Sequence, residues 1–181
     1  MNTTITYKKG FTLIESLVAV TMLSLVIASV MGLAQTSIAG NTYAQAQVTA
    51  NYLAGEALEY IRNQRDNQFL QYPNDIQTTP SLWLDGIDGS CFNTGCDVDT
   101  VNSTFISCQA ECVPLQFSSN INGGFYQHGN MGSNSTFRRT IFIEEINDYE
   151  IAVRVVISGD SGFFKQTPLV VVEHMSKWYK P

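Results

Sequence analysis

At 181 residues and 44% apolar composition, the chain has material for one modest domain and an extended element, and too little for two full domains. Its formal net charge is −6; Lys8 and Lys9 stand in the first ten residues, so the remainder carries eight Lys and Arg against 16 Asp and Glu, a net of −8 that repels phosphate backbones and argues against a nucleic-acid partner. Charged residues make up only 14% of the chain and uncharged polar ones are plentiful, which suits a surface outside the cell.

From Phe11 to Ala34 the only charge is Glu15, and this stretch is long enough to cross a hydrocarbon core of about 30 Å. Lys8 and Lys9 precede it and the next basic residue is Arg62, so the positive-inside rule places the N-terminus in the cytoplasm and the rest of the chain outside. No proline occurs before Pro73. Beyond Ala34 the residues Ala46, Ala50, Leu53, Ala57 and Ile61 recur at three- and four-residue steps. The pattern predicts one helix over 11–66, roughly 85 Å long, whose outer apolar stripe must be covered by the C-terminal half of the chain.

Residues 73–135 hold Pro73, Pro80, Pro114, many Gly and Asn residues and all four cysteines. They read as mostly irregular, with a short strand at Val113–Ser118. Three stronger strands follow at Phe137–Ile146, Tyr149–Ser158 and Leu169–Met175. In the second, Tyr149, Ile151, Val153, Val155 and Ile157 alternate onto one face. Asn147–Asp148 makes the first turn and Ser158–Gly162 the second. The expected fold class is α+β, with a long N-terminal helix, transmembrane in its first half and amphipathic in its second, packed on a C-terminal antiparallel β-sheet head.

Cys91, Cys96, Cys108 and Cys112 fall within 22 residues and are even in number, which in an exported chain favours two disulfides. Three pairings are open, and the short spacings make Cys91 with Cys96 and Cys108 with Cys112 the simplest. A four-thiolate zinc site is the alternative, with spacings that fit poorly beside C-x-x-C knuckles. No other metal site and no cofactor is expected.

Lys8-Lys9-Gly10-Phe11-Thr12-Leu13-Ile14-Glu15 resembles the type III signal of type IV prepilins and type II secretion pseudopilins. The resemblance is specific over residues 8 to about 34 and architectural beyond. It implies that a membrane aspartyl peptidase cuts after Gly10 and methylates Phe11, so that the apolar helix is kept. The physical logic agrees, since Gly10 leaves the backbone accessible between a basic leader and an apolar helix. Glu15 sits near the start of a lipid-facing stretch, where a carboxylate costs on the order of 2.5 to 3.5 kcal/mol at mid-bilayer and less near the end. An amine created at Phe11 of a neighbouring subunit would supply its partner, and the family uses its fifth mature residue in this way. An ordinary secretory signal fits less well: the apolar region is too long, and Ala44-Gln45-Ala46 lies well past it.

The implied organisation is a cytoplasmic leader at 1–10, a transmembrane helix at 11–34, its amphipathic continuation at 35–66 and a globular head at 67–181. The implied role is a structural subunit of a pilus or secretion pseudopilus, and not an enzyme. Its partners are other pilin or pseudopilin subunits, the prepilin peptidase and the inner-membrane assembly platform. It would reside in the cytoplasmic membrane and then in a periplasmic or extracellular filament. The ending Val170-Val171-Val172-Glu173-His174-Met175-Ser176-Lys177-Trp178 looks like that of PilV-type minor pilins. Many major pilins carry a proline inside the membrane helix, whereas this segment has only Gly32, which favours a minor or pseudopilin role, or a filament whose helix loosens at Gly32 instead.

A tip adhesin or ligand-binding subunit is the alternative, with Trp83 and Phe92 near Asp85, Asp88, Asp97 and Asp99 as a sugar or calcium site; the spacing fits no EF-hand, and a stapled loop with solvated acids is the simpler reading. Arg138-Arg139, the local support for DNA uptake, falls on opposite strand faces. His128 and His174 lie in separate segments and form no triad. Asn102-Ser103-Thr104 and Asn134-Ser135-Thr136 match the N-glycosylation pattern, which is frequent by chance in Asn-rich sequence.

Overall fold

The computed structural model describes residues 10–72, 83–109, 111–120, 123–129, 132–159, 164 and 167–177. Lys8, Lys9, Pro73, Pro80 and Trp178, and most of the expected turn before the last strand, lie outside the described residues. The architecture is α+β, and the chain divides into two units, Met1–Gln45 and Ala46–Pro181.

The helix α1 runs Leu13–Gln71. Within the first unit every described residue of it is exposed, including Leu13, Leu25 and Leu33. Over 13–34 that exposed surface is almost wholly apolar, which is what a lipid-facing helix presents. From Ala46 onward the helix becomes amphipathic. Ala50, Leu53, Ala54, Ala57, Leu58, Ile61 and Phe69 are buried along one stripe, and each larger side chain contributes about 1.5–3 kcal/mol by leaving water. The helix outlasts the expected end at Asp66 by five residues, because Gln68 and Phe69 still face the core and Phe69 lies 6.5 Å from the Trp83 ring.

The head contains two sheets. β1 (Cys96–Asp99), β2 (Thr104–Ser107), β6 (Phe137–Asn147), β7 (Glu150–Gly159) and β8 (Leu169–Ser176) form one, in the order β2-β1-β6-β7-β8. β3 (Gln116–Asn120), β4 (Gly123–Gln127) and β5 (Ser133–Asn134) form the other, in the order β4-β3-β5. All pairings are antiparallel. The period-2 alternation turns Ile141, Ile143, Ile151, Val153, Val155, Ile157 and Met175 inward, where they share one core with the second half of α1. Leu115 joins the sheets: its N–H donates to the Phe137 carbonyl at 2.9 Å, and its carbonyl accepts from Ser135 N–H at 2.8 Å.

Three sequence expectations shift. The region read as mostly irregular contains five strands, β1 to β5, and the whole of the small sheet, and the strand expected at Val113–Ser118 begins only at Gln116. Tyr149 is in the β6–β7 turn and exposed, so the inward face of β7 starts at Ile151. The turn itself falls on Asp148–Tyr149, held by Asn147, whose Oδ1 accepts from Tyr149 N–H at 2.9 Å.

The cysteines pair as Cys91–Cys96 and Cys108–Cys112, with Cα separations of 4.7 and 4.8 Å, so none is left as a zinc thiolate. The first bridge ties a 3₁₀ turn (Gly89–Phe92) to β1. Within the loop closed by the first bridge Gly95 adopts φ +95°, and a Cβ there would come within 2.8 Å of Thr140 Cγ2. Only glycine fits this crossing without a shift.

Candidate functional site

The N-terminal segment is built for access. Gly10 and Phe11 precede the helix, Phe11 is 77% exposed, and no described residue lies within 4 Å of the position a Cβ on Gly10 would take. Thr12 starts the helix. Its carbonyl accepts from the N–H groups of Glu15 at 3.1 Å and Ser16 at 3.2 Å, and its Oγ1 accepts from Glu15 N–H at 3.4 Å. Thr12-Leu13-Ile14-Glu15 therefore has the T-x-x-E arrangement of a helix start, with a carboxylate in the first turn facing the positive end of the helix dipole. Nonetheless the Glu15 side chain is exposed, and its carboxylate has no hydrogen-bond or ion-pair partner among the described residues.

The hydroxyls behind it are treated differently. Ser16 donates to the Leu13 carbonyl at 2.9 Å, Thr21 to Val18 at 2.8 Å, Ser24 to Thr21 at 2.8 Å and Ser29 to Val26 at 2.8 Å. Each folds its polar atom back onto its own helix, which lets it lie in an apolar medium. Glu15 cannot do this, since a carboxylate is an acceptor and the helix N-terminus offers only a few N–H groups. By length and composition α1 is able to cross a membrane.

In the head, the residues considered for a sugar or calcium site do not converge. Trp83 is buried against Phe69, so its ring offers no platform to a ligand. Asp88 caps the 3₁₀ turn, accepting from Ser90 N–H at 2.8 Å; the Ser90 hydroxyl and N–H hold its carboxyl below the usual carboxylate range. Asp99 closes the turn after β1 by accepting from Val101 N–H at 3.0 Å and Asn102 Nδ2 at 2.8 Å. Among the described residues no group of three or more His, Cys, Asp and Glu side chains is placed to hold a metal ion.

Asp97 belongs instead to a buried polar network that the sequence reading missed. Its carboxylate, fully buried, accepts from Arg139 Nε at 2.6 Å and contacts His128 Nε2 at 2.6 Å. Arg139 also donates to the Val98 carbonyl at 2.7 Å, the Leu53 carbonyl at 3.1 Å and Glu56 Oε2 at 2.9 Å. Burial lowers the affinity of this guanidinium for its proton, but Asp97 and Glu56 more than offset that and hold its pKa above the ordinary value. One side chain thus ties β6 to β1 and to α1. Arg138, on the other face, donates to the Cys112 carbonyl at 2.9 Å. His174 pairs with Glu150 at the surface, so the two histidines serve separate contacts. The available signal was the Arg-Arg pair in an apolar strand: alternation sends one inward, and an inward arginine requires carboxylates.

Residues 5–31 match the family model described as the prokaryotic N-terminal methylation motif. That motif is characteristic of type IV prepilin-like proteins, and the long N-terminal helix followed by antiparallel sheets gives the chain a pilin-like architecture. The motif and the apolar helix together point to membrane anchoring. The motif belongs to structural, pilin-type proteins rather than to enzymes. No curated protein and no solved structure matches the chain.

Proposed function

We propose that the chain is a structural subunit, of the minor class, in a type IV pilus or a type II secretion-like pseudopilus. The peptidase of that pathway removes residues 1–10 and methylates Phe11, and the processed subunit enters the filament through its N-terminal helix. The observation that carries this reading is Glu15: a carboxylate five residues beyond Gly10, inside the matched motif and an exposed apolar helix, with no partner among the described residues. Its pairing with the Phe11 amine of a neighbouring subunit relieves an unpaired charge at the membrane and fixes axial stagger.

Before assembly the chain is a single-pass protein of the cytoplasmic membrane with its N-terminus inside, and the assembly platform and other subunits are its partners. The absence of proline from the span and the run Val170–Trp178 support the minor class. The test is the N-terminal mass spectrum of the mature protein, in which the first residue is expected to be methylated Phe11. A mature chain that keeps Met1–Gly10, or that begins after Ala46, would overturn the processing.

A further inference from the structure

Beside the buried network the head carries an aromatic notch of about 400 Å³, lined by Thr49, Tyr52, Leu53 and Glu56 of α1 and by Phe125 and Tyr126 of β4. Leu53 is buried and floors it, whereas Tyr52 is 76% exposed and stands at its rim. Tyr126 is fixed from behind by Phe117 and Phe137, with ring centroids at 5.1 and 6.0 Å. Glu56 is the charged lining residue. Its Oε1 accepts from Thr100 Oγ1 at 2.5 Å and its Oε2 from Arg139 at 2.9 Å, and each oxygen keeps a second acceptor position.

The charge behind the notch is unbalanced. Glu56 and Asp97 supply two carboxylates against the one guanidinium of Arg139, which contacts both. Aromatic faces joined to an under-neutralised carboxylate attract organic cations, by ring quadrupole and by direct charge. None of the residues lining the notch is basic.

We propose that this notch binds the protonated end of a lysine or arginine side chain presented by a neighbouring subunit. That source rests on the filament reading given above; the chemistry of the notch does not. Tyr52 and Phe125 would embrace the cation's stem and Glu56 would receive its N–H groups.

The test is a titration of the full chain in nonionic polyoxyethylene micelles, with Tyr and Phe labelled for NMR. The probes are the N-acetyl N-methylamides of lysine, arginine and norleucine, and phosphocholine. Saturable shifts at Tyr52, Phe125 and Tyr126 are expected with lysine or arginine, and binding of norleucine at least about tenfold weaker. Tyr52→Ala should weaken the cation about fivefold and Tyr52→Phe should restore it, because the ring rather than the hydroxyl is used. Equal binding of norleucine would reduce the notch to an apolar groove and overturn the proposal, as would no saturable shift with either cation. Tighter binding of phosphocholine would make the occupant a lipid headgroup and overturn the subunit assignment. The titration needs no filament, so its failure leaves the processing and assembly reading to be judged by the mature N-terminus.

Discussion

Arg139 Nε donates to Asp97 Oδ1 at 2.6 Å with both side chains almost wholly out of solvent. Replacing one partner therefore leaves the other a buried charge that has lost its main counter-charge. Arg139→Met is expected to destabilise the head by about 3–5 kcal/mol. The double variant Arg139→Met with Asp97→Asn should recover at least about 1–2 kcal/mol of that loss, since the amide keeps a hydrogen-bonding group without the charge. Denaturant midpoints of the single and double variants make the comparison. Equal midpoints would mean that the ion pair is not what holds β1 and β6 to α1.

Each disulfide closes a short loop, spanning five residues of sequence for Cys91–Cys96 and four for Cys108–Cys112. Loop-closure entropy gives about 2 kcal/mol for rings of this size. Intact mass should rise by about 4 Da on full reduction. Paired Cys→Ala removal of the first bridge should lower the stability of the head by about 2 kcal/mol. A mass unchanged by reduction would leave the thiols free.

Tyr60 and Tyr126 set an alkaline limit. Burial raises both above the ordinary tyrosine value of 10.0, and for Tyr60 the nearby Asp99 carboxylate adds to the effect. A group whose folded pKa is raised contributes stability that is complete below its unfolded pKa and is lost as pH climbs through the folded one. The head should thus hold its stability up to about pH 10 and lose it progressively above. An absorbance titration at alkaline pH, repeated with Tyr60→Phe and Tyr126→Phe, should remove the late-titrating component.

How much of this was legible in the sequence depended on how many residues share one signal. The apolar run from Phe11, the stripe through Ala50 and Ile61, and the alternation in Ile151 to Ile157 each repeat one physical instruction several times, and the helix and β6–β8 follow from them. β1 and β2 were hidden because each has four residues, and Cys96–Asp99 is buried on both faces while carrying two carboxylates. An acid at such a position reads as loop until its partner is known, and Arg139 lies 42 residues away. The N-terminal motif was legible for the opposite reason: its groups are neighbours in sequence, and the structure leaves Gly10 to Glu15 exposed rather than recruiting them into the core.

Gly10→Val is expected to block removal of the leader. In the wild type no heavy atom of the described residues lies within 4 Å of a Cβ at Gly10, so the branched side chain would obstruct the protease without disturbing the fold. The membrane fraction should accumulate precursor of unprocessed mass, and the thermal unfolding of its head should match wild type. Normal maturation of this variant would move the cut site elsewhere.

Glu15→Ala separates processing from assembly. Thr12 retains its backbone contacts to residues 15 and 16 in this variant, and alanine is a good helix former, so the helix start should survive. Cleavage after Gly10 should proceed and Phe11 should be methylated. What is lost is the carboxylate that pairs with a neighbour's amine, and incorporation into sheared filaments should fall by at least about tenfold, the factor that corresponds to a single charge-assisted contact of about 1.4 kcal/mol. Glu15→Asp should be intermediate, because it keeps the charge on a side chain one methylene shorter. Glu15→Gln decides between charge and shape: it preserves size and hydrogen bonding but not the ion pair, and it should behave like alanine. If glutamine instead assembled as well as glutamate, the residue would be acting through helix geometry, and the amine of Phe11 would have no partner in this role.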